Sequence, residues 1–168
     1  PVNYGFNGFY NLQNAPDNGG RDFLETFLAQ TKAASDTQGR RLVDVLDLHW
    51  YSEAQGAGQR VVGGDNSDAV AQARMQSPRS LWDPTYTETS WITQWMTAGP
   101  IQLIPSVNAK ILAHNPGTKL AFTEYNHGGE DHISGGIAQA DCLGIFGREG
   151  IFAANVWPMS DNRSFSYG

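Results

Sequence analysis

Residues 119–126, with the sequence KLAFTEYN, decide how this chain is interpreted. Their apolar first half predicts a buried strand, and Gly128 and Gly129 break that strand just after the carboxylate of Glu124. A buried and unpaired charge is costly, so a carboxylate at this position indicates a strand whose end opens into a site. For Glu124 considered alone, a solvated loop carboxylate remains the alternative.

Two further segments share this pattern of an apolar run that turns polar or aromatic at its end. Residues 42–51, LVDVLDLHWY, and residues 150–157, GIFAANVW, are predicted strands, and residues 1–6 are a fourth candidate. Near-continuous apolar strands are typical of parallel sheets that are covered on both faces. The three segments therefore favour a parallel sheet over an antiparallel one.

Helical patterns alternate with these strands. Helices are predicted over residues 22–34, 101–114 and 135–147, the last with Ile137, Ala140, Leu143 and Ile145 as its apolar positions. The long connection after the 42–51 strand is predicted to hold short helices near 68–75 and 89–96. Strands that alternate with helices predict βαβ units.

Four βα units amount to half of a (β/α)8 TIM barrel, which typically needs about 250 residues. We therefore predict one partial barrel domain over residues 1–168, with a long loop insertion at about 52–98. A small open doubly wound sheet is the alternative, but no glycine-rich phosphate-binding motif supports it. Half a barrel has two unpaired edges, so the expected partner is the missing N-terminal half of the barrel.

Composition excludes several classes of function. Hydrophobic residues make up 40% of the chain and charged residues 17%, as expected for a globular protein. The net charge of −6 and the lack of a basic run argue against nucleic acid and against a polybasic membrane surface. No apolar run is long enough to span a membrane, and no signal peptide is recognised. Cys142 is the only cysteine and is predicted to lie in the core.

Glu124 is predicted to be a catalytic nucleophile. Retaining glycoside hydrolysis uses two carboxyl groups about 5–5.5 Å apart, one as nucleophile and one as acid/base. Glu53 and Glu130 follow strand ends and are the candidates within this chain for the second carboxyl group. The alternative for both is an exposed loop carboxylate without a catalytic role.

Aromatic and polar residues near the strand ends are predicted to bind substrate. Tyr51 could donate a hydrogen bond that keeps Glu124 ionised, and His49 is expected on the same face; core packing is the alternative for both. Trp91 and Trp95 lie four residues apart on one predicted helical face, where packing is the default and sugar stacking the sharper hypothesis. Trp157 is the best single candidate for stacking on a sugar ring.

The segment that follows Glu124 contains three side chains of types that can bind a metal ion. His127, Asp131 and His132 form a loose group of His and carboxylate side chains, but their spacing matches no standard ligand set. No metal site is therefore predicted.

Trp82 lies in the long connection and is predicted to anchor that loop.

Several of these segments resemble glycoside hydrolase family 44. Residues 45–51, VLDLHWY, resemble the sixth-strand segment of that family, and residues 79–86 and 90–95, RSLWDPTY and SWITQW, resemble its long insertion. Residues 123–130, TEYNHGGE, resemble its nucleophile strand, and residues 132–141 continue the match. The resemblance covers essentially the whole chain.

This resemblance implies a clan-A (β/α)8 barrel, of which the chain covers roughly strands 5 to 8, with an added β-sandwich elsewhere. It implies retaining, endo-acting cleavage of β-1,4 bonds in cellulose derivatives, xyloglucan or related plant polysaccharides. Glu124 matches the nucleophile. The acid/base of the family lies in an Asn-Glu-Pro-type motif that this chain lacks. The predicted substrate-binding residues are His49, Tyr51, Trp91, Trp95, Tyr125, Asn126 and Trp157.

The resemblance also implies a secreted enzyme that requires no cofactor, and it allows a structural calcium ion without locating it. The expected partner in the reaction is a β-1,4-linked polysaccharide or oligosaccharide. The second hypothesis is a non-catalytic carbohydrate-binding or structural fragment of such an enzyme, since the chain lacks the motif that carries the second catalytic carboxyl group.

Overall fold

The computed structural model describes residues 20–158, so the predicted strand at 1–6 lies outside the described residues. Four α-helices and five strands are described. The helices are α1 (Phe23–Gln38), α2 (Asp68–Gln76), α3 (Leu103–His114) and α4 (Ile133–Arg148). The strands are β1 (Val45–Tyr51), β2 (Gln55–Gly56), β3 (Gln59–Arg60), β4 (Lys119–Asn126) and β5 (Ala153–Val156).

A parallel sheet in the order β1–β4–β5 forms the centre of the described region. Helix α3 precedes β4, and α4 connects β4 to β5, so the predicted alternation of strands and helices is present. Strands β2 and β3 form a separate two-stranded antiparallel hairpin. Because all three central strands run the same way, their carboxyl ends meet at one edge of the sheet.

A β-bulge interrupts the pairing of β1 with β4. Leu48 pairs with Phe122 and His49 pairs with Glu124, so Thr123 is an extra residue on β4. Phe122 and Tyr125 both join the core although they are three residues apart, a spacing that simple strand alternation does not permit. The bulge therefore turns Thr123 and Glu124 together onto the opposite face of the sheet.

The core lies between the helices and one face of this sheet. Its aromatic centre is formed by Phe122, Tyr125 and Phe146, whose ring centroids are 5.6 Å apart for Phe122 and Phe146 and 5.0 Å apart for Tyr125 and Phe146. The even-numbered residues of β1 and apolar residues of all three long helices complete it; they include Leu24, Leu28, Leu46, Leu48, Trp50, Ile104, Val107 and Ile111.

The buried face of helix α4 differs from the face that its sequence predicts. Ile137 and Leu143 are exposed, whereas Ala138, Cys142 and Phe146 are buried. The helix is apolar on most sides, and hydrophobicity alone does not select the face that packs on β4. The predicted burial of Cys142 is confirmed, and burial raises the pKa of its thiol.

The ends of α1 follow ordinary capping chemistry. The carboxylate of Asp22 accepts a 2.9 Å hydrogen bond from the amide of Glu25, and Gly39 ends the helix in a left-handed conformation at φ 66°. The helix therefore extends past the predicted end at residue 34. Within residues 20–158, no helix combines the length and the apolar character that crossing a bilayer requires.

The long connection between β1 and α3 is ordered by close packing. The predicted helix near 68–75 is confirmed as α2, and the one near 89–96 is a short helical segment over residues 91–97 that is π-helical at Thr93–Thr97. A side chain on Gly56 would place its Cβ 2.1 Å from the carbonyl oxygen of Ala69, and one on Gly128 would come within 2.0 Å of that of Val61. Only glycine permits these approaches.

Hydrogen bonds of Arg74 link the long connection between β1 and α3 to the loop after β4. Its side chain is fully buried, and its guanidinium donates to the carbonyl oxygen of Val61 over 2.9 and 3.1 Å. It also donates to the Ser134 hydroxyl over 2.8 Å and to the side chain of Asn66 over 3.0 Å. A buried cation with this many acceptors is fixed in place, so the connection and the loop after β4 form one packed unit.

Candidate active site

The candidate site lies at the carboxyl ends of β1 and β4, on the face of the sheet opposite the core. Strand alternation brings Asp47, His49 and Tyr51 of β1 to this face, and the bulge brings Thr123 and Glu124 of β4 to meet them. Five polar side chains therefore share one patch of sheet. The site occupies the edge of a parallel sheet where ligands bind in open α/β folds and in barrels.

Glu124 is held by two neighbours and still reaches solvent. The phenol of Tyr51 donates a 2.8 Å hydrogen bond to Oε2 of Glu124, and Nδ1 of His49 lies 3.1 Å from the same oxygen. The Glu124 side chain is 29% exposed. Among the residues that the structure describes, both contacts go to Oε2, so Oε1 is the oxygen free to meet another molecule.

Tyr51 is a hydrogen-bond donor over the whole physiological range. Partial burial and the neighbouring carboxylate of Glu124 together raise the pKa of the Tyr51 phenol well above its ordinary value of 10. The phenol therefore keeps its proton, and that proton is directed at Glu124. A hydrogen bond to the charged form of a carboxylate favours that form, as the sequence analysis predicted for this pair.

Asp47 and Thr123 lie behind this pair, and sequence reasoning missed both. The backbone amide of Thr123 donates to Oδ1 of Asp47 over 2.9 Å, and the Thr123 hydroxyl donates to Oδ2 over 2.5 Å. Nε2 of His49 lies 3.4 Å from the same hydroxyl oxygen. A carboxylate amid an otherwise apolar strand, two and four residues before His49 and Tyr51, was the available signal for Asp47.

Tyr125 and Asn126, predicted to bind substrate, have structural roles. Tyr125 is buried in the core on the opposite face from Glu124, and its hydroxyl accepts a 2.8 Å hydrogen bond from Gln139. The Asn126 amide is also buried, donating to Glu130 and to the carbonyl of Trp157 over 2.6 Å each. This burial does not fit contact with a substrate, because neither side chain offers an accessible surface.

The three predicted tryptophans occupy different environments. Trp157 directly follows β5 and is 54% exposed, while its backbone amide donates to Tyr125 over 2.9 Å. Trp95 is 72% exposed on the π-helical segment of the long connection. Trp91 is half-buried, and its indole N–H donates to Glu53 over 2.9 Å. Trp157 and Trp95 thus present ring surface, whereas Trp91 is held by its neighbour.

The two candidates for a second carboxyl group are both engaged with neighbouring side chains. Glu53 accepts from the indole of Trp91 and forms an ion pair with Arg60. Glu130 is buried and accepts from Asn126 over 2.6 Å. These contacts anchor the loops in which the two carboxylates lie. The two donors to Glu53 occupy both of its oxygens, Arg60 at Oε1 and Trp91 at Oε2, whereas both contacts of Glu124 go to Oε2.

A third carboxyl group, Glu88, is buried in the long connection. It is only 4% exposed; Oε2 accepts a 2.6 Å hydrogen bond from Ser80, and Oε1 has no partner among the described residues. Burial raises the pKa of Glu88, although the nearby hydroxyl groups of Ser80 and Ser90 act in the opposite direction. Such a carboxyl group resists ionisation and contrasts with the supported carboxylate of Glu124.

The group formed by His127, Asp131 and His132 does not converge. His127 is buried against Gln139, with 3.1 Å between Nε2 and Oε1, and burial lowers the pKa of its imidazole. His132 faces Ser134 over 2.9 Å, and Asp131 accepts from Asn66 over 3.2 Å. Over residues 20–158, no three His, Cys, Asp or Glu side chains come together in a way that could hold a metal ion.

Comparison with known proteins identifies the family. The sequence profile of Glycoside hydrolase family 44 matches residues 1–54. Endoglucanase A of Paenibacillus lautus is 49% identical over an alignment of 172 residues, which covers 99% of this chain and 24% of that protein. The chain belongs to glycoside hydrolase family 44. This confirms the resemblance seen in the sequence motifs.

Solved structures of the same family match the fold. A glycoside hydrolase family 44 endoglucanase from Clostridium acetobutylium is 51% identical with a TM-score of 0.89, over 97% of this chain and 33% of that one. A Paenibacillus polymyxa xyloglucanase of the family, solved with xyloglucan, is 44% identical with a TM-score of 0.90, over 99% and 34%. The chain thus spans about a third of these relatives and a quarter of the Paenibacillus lautus protein.

Proposed function

We propose that this family 44 chain is the nucleophile-bearing part of a longer, retaining endo-β-1,4-glucanase. The observation that carries the proposal is the setting of Glu124, which reaches solvent at a strand end while Tyr51 and His49 both hold Oε2. A nucleophilic carboxylate needs one oxygen oriented by the protein and the other free to attack, and this geometry provides both.

In the proposed reaction, Oε1 of Glu124 attacks the anomeric carbon of the sugar, and the bond from that carbon to the leaving oxygen breaks. The general acid protonates the leaving oxygen, and water later hydrolyses the glycosyl-enzyme with retention of configuration. Tyr51 and His49 stabilise the carboxylate before attack and again when it leaves the sugar. The general acid is contributed from outside this chain, by the part that completes the (β/α)8 barrel with these strands as roughly strands 5 to 8.

The proposed substrates are β-1,4-linked glucans such as cellulose derivatives and xyloglucan. Support comes from the names of the relatives, an endoglucanase and a xyloglucanase solved with xyloglucan. Exposed rings at Trp157 and Trp95 suit stacking on the apolar faces of glucose units. Secretion belongs to the same proposal, since an enzyme that cuts large plant polysaccharides meets them outside the cell.

Replacement of Glu124 by glutamine in the full-length protein tests the nucleophile. The Glu124→Gln variant keeps the shape and the hydrogen bond from Tyr51 but cannot form the covalent intermediate. We expect hydrolysis of carboxymethylcellulose to fall by a factor of about a thousand or more, or several kcal/mol in the barrier. Glu149→Gln is the matched control, because Glu149 lies beside Arg148 at the end of α4. Activity of Glu124→Gln within tenfold of the unaltered protein contradicts the assignment.

The second candidate is a carbohydrate-binding or structural fragment without catalysis of its own. The observation in its favour is that Glu53 and Glu130, the two candidates for the second carboxyl group, are tied to loop neighbours. An assay of the 168-residue chain for reducing ends released from a soluble glucan separates the two. Binding without turnover supports this second function for the isolated chain, whereas turnover makes Glu53 and Glu130 the first residues to substitute.

A further inference from the structure

The hydroxyl of Thr123 has one proton, and the geometry shows where that proton goes. Oγ1 of Thr123 lies 2.5 Å from Oδ2 of Asp47 and 3.4 Å from Nε2 of His49. Asp47 already accepts from the Thr123 amide at Oδ1, so its carboxylate is an acceptor at both oxygens. The short contact therefore holds the hydroxyl proton, and the lone pairs of Oγ1 face His49.

Because the Thr123 hydroxyl donates its proton to Asp47, the protonation of Nε2 of His49 can be assigned. Because the Thr123 hydroxyl is an acceptor towards His49, Nε2 of His49 carries a proton and donates it. The other ring nitrogen, Nδ1, lies 3.1 Å from the acceptor Oε2 of Glu124. A neutral ring protonated at Nε2 would direct a lone pair at that carboxylate oxygen. An ionised Glu124 therefore requires a proton on Nδ1 as well, and the ring is then a cation.

We propose that Asp47 is a positioning residue which acts through Thr123 to keep His49 doubly protonated beside the nucleophile. The role assigned to Glu124 rests on the proposed function, whereas the protonation of His49 rests on hydrogen-bond geometry and on an ionised Glu124, whatever the role of that carboxylate. Asp47 orients the Thr123 hydroxyl, the hydroxyl requires a donor at Nε2, and the resulting imidazolium holds Glu124 in its ionised form. The bulge at Thr123 is what places this hydroxyl between the two strands.

Charges alternate along this chain of contacts. Within residues 20–158, the titratable groups joined to His49 by the network are Glu124 of β4 and, from its own strand, Asp47 and Tyr51. The imidazolium of His49 thus lies between two carboxylates, while Tyr51 adds a neutral donor. Such an arrangement is stable only while the ring keeps both protons, so the site should lose activity when rising pH removes one.

Three substitutions in the full-length protein separate this role from simple packing. Thr123→Val removes the hydroxyl at nearly constant volume, and Thr123→Ser keeps it. Asp47→Asn offers an amide N–H to Oγ1, which turns the hydroxyl proton towards Nε2 and makes that nitrogen an acceptor. We expect kcat to fall roughly tenfold to a hundredfold in Thr123→Val and Asp47→Asn, with the alkaline limb of the pH profile moved to lower pH. Thr123→Ser should restore both quantities.

Nitrogen-15 NMR of histidine-labelled protein gives a readout that needs no turnover. The His49 signals are assigned by their loss in His49→Gln. At neutral pH, His49 of the unaltered protein should show both ring nitrogens protonated, and Asp47→Asn should show a ring protonated at Nδ1 only. A neutral His49 ring in the unaltered protein would overturn the proposal, as would unchanged signals in both Asp47→Asn and Thr123→Val.

The two sets of results distinguish failure of the inference from failure of the proposed function. A doubly protonated ring that depends on Asp47, in a protein whose activity is indifferent to Glu124→Gln, upholds the inference and refutes the nucleophile. A large loss in Glu124→Gln together with a neutral His49 ring does the reverse. Thermal melts show whether each variant is folded, and Asp47→Asn and Thr123→Val test the same link independently if one of them is not.

Discussion

The two faces of β4 carry out different tasks with residues that are neighbours in sequence. On the helix side, Phe122 and Tyr125 pack against the ring of Phe146. On the other side, Thr123 and Glu124 form hydrogen bonds with polar side chains of β1. The bulge allows two consecutive residues to share the polar face, which a regular strand would forbid. The core and the candidate site are thus separated by the face of β4 to which each side chain points, and not by position along the chain.

The largest expected effect is on the helix side. Phe122 is fully buried, so Phe122→Ala should lower the free energy of unfolding by about 3–5 kcal/mol through lost burial and a cavity between Phe146 and the strand. Urea unfolding of the full-length protein measures it. Leu112→Ala is the control, since Leu112 is exposed on α3 and its loss should cost less than about 1 kcal/mol. Equal losses in the two variants would mean that this face of β4 does not form the core.

A pair of tyrosines tests the separation of the two faces directly. Tyr51→Phe removes the donor to Glu124 and should lower kcat/KM by roughly tenfold to a hundredfold, because hydrogen bonds to charged groups contribute about 1.5–3 kcal/mol. Tyr125→Phe removes a hydroxyl that contacts Gln139 on the helix side, and kcat/KM should stay unchanged. Hydrolysis of a soluble β-glucan by both variants gives the comparison. A loss of activity in Tyr125→Phe as large as in Tyr51→Phe would refute it.

Two exposed rings at opposite ends of one segment extend the test to substrate binding. Trp157 follows β5 at the end where Glu124 lies, whereas Phe152 precedes β5 and contacts Lys119 at the start of β4. Trp157→Ala should weaken binding of a β-glucan oligomer about tenfold, as expected for loss of roughly 1–3 kcal/mol of ring burial. Phe152→Ala should leave the dissociation constant unchanged in isothermal titration. An unchanged constant in Trp157→Ala would assign that ring a packing role.

The smallest expected effect concerns a buried carboxyl group that lacks the support given to Glu124. Burial raises the pKa of Glu88 above its ordinary value of 4.5, so the folded protein holds this proton more tightly than the unfolded chain. The stability it contributes is present below about pH 4.5 and is lost as pH rises through the folded pKa. Glu88→Gln keeps the neutral form at every pH.

Glu88→Gln should therefore be more stable than the unaltered protein by about 1 kcal/mol near pH 8, and nearly equal to it near pH 4. Urea unfolding at the two pH values measures the difference. Glu149→Gln serves as the control, because the side chain of Glu149 pairs with Arg148 at the surface. A stability difference for Glu88→Gln that does not depend on pH would show that Glu88 is ionised in the fold.

Local sequence patterns predicted the elements better than they predicted the faces. The strand at 119–126 and the helices around 68–75 and 101–114 follow from apolar runs, glycines and prolines close to where they occur. The packed face of α4 does not, because Ile137 and Leu143 are as apolar as the residues that are buried. Which side of such a helix meets the sheet is decided by the rings of β4, and these lie apart from it in sequence.

The bulge explains the rest of what sequence could not provide. Regular alternation places Thr123 and Glu124 on opposite faces, whereas the structure places both beside β1. An extra residue in one strand depends on the pairing with its neighbour, and no local pattern in KLAFTEYN reveals it. The contact of Tyr51 with Glu124 was predicted because both lie at strand ends. The place of Asp47 in the site, by contrast, can be recognised only once the pairing register of β1 with β4 is known.

The buried guanidinium of Arg74 bonds to Val61 in the long connection and to Ser134 at the start of α4, which lies 60 residues after Arg74. A covalent bridge would restrict the chain in a comparable way, but this sequence has a single cysteine and cannot form one internally. The cross-link here is made of hydrogen bonds, so neither reductants nor oxidants can open or reshuffle it. The attachment of the loop that follows Glu124 therefore does not depend on the redox conditions around the protein.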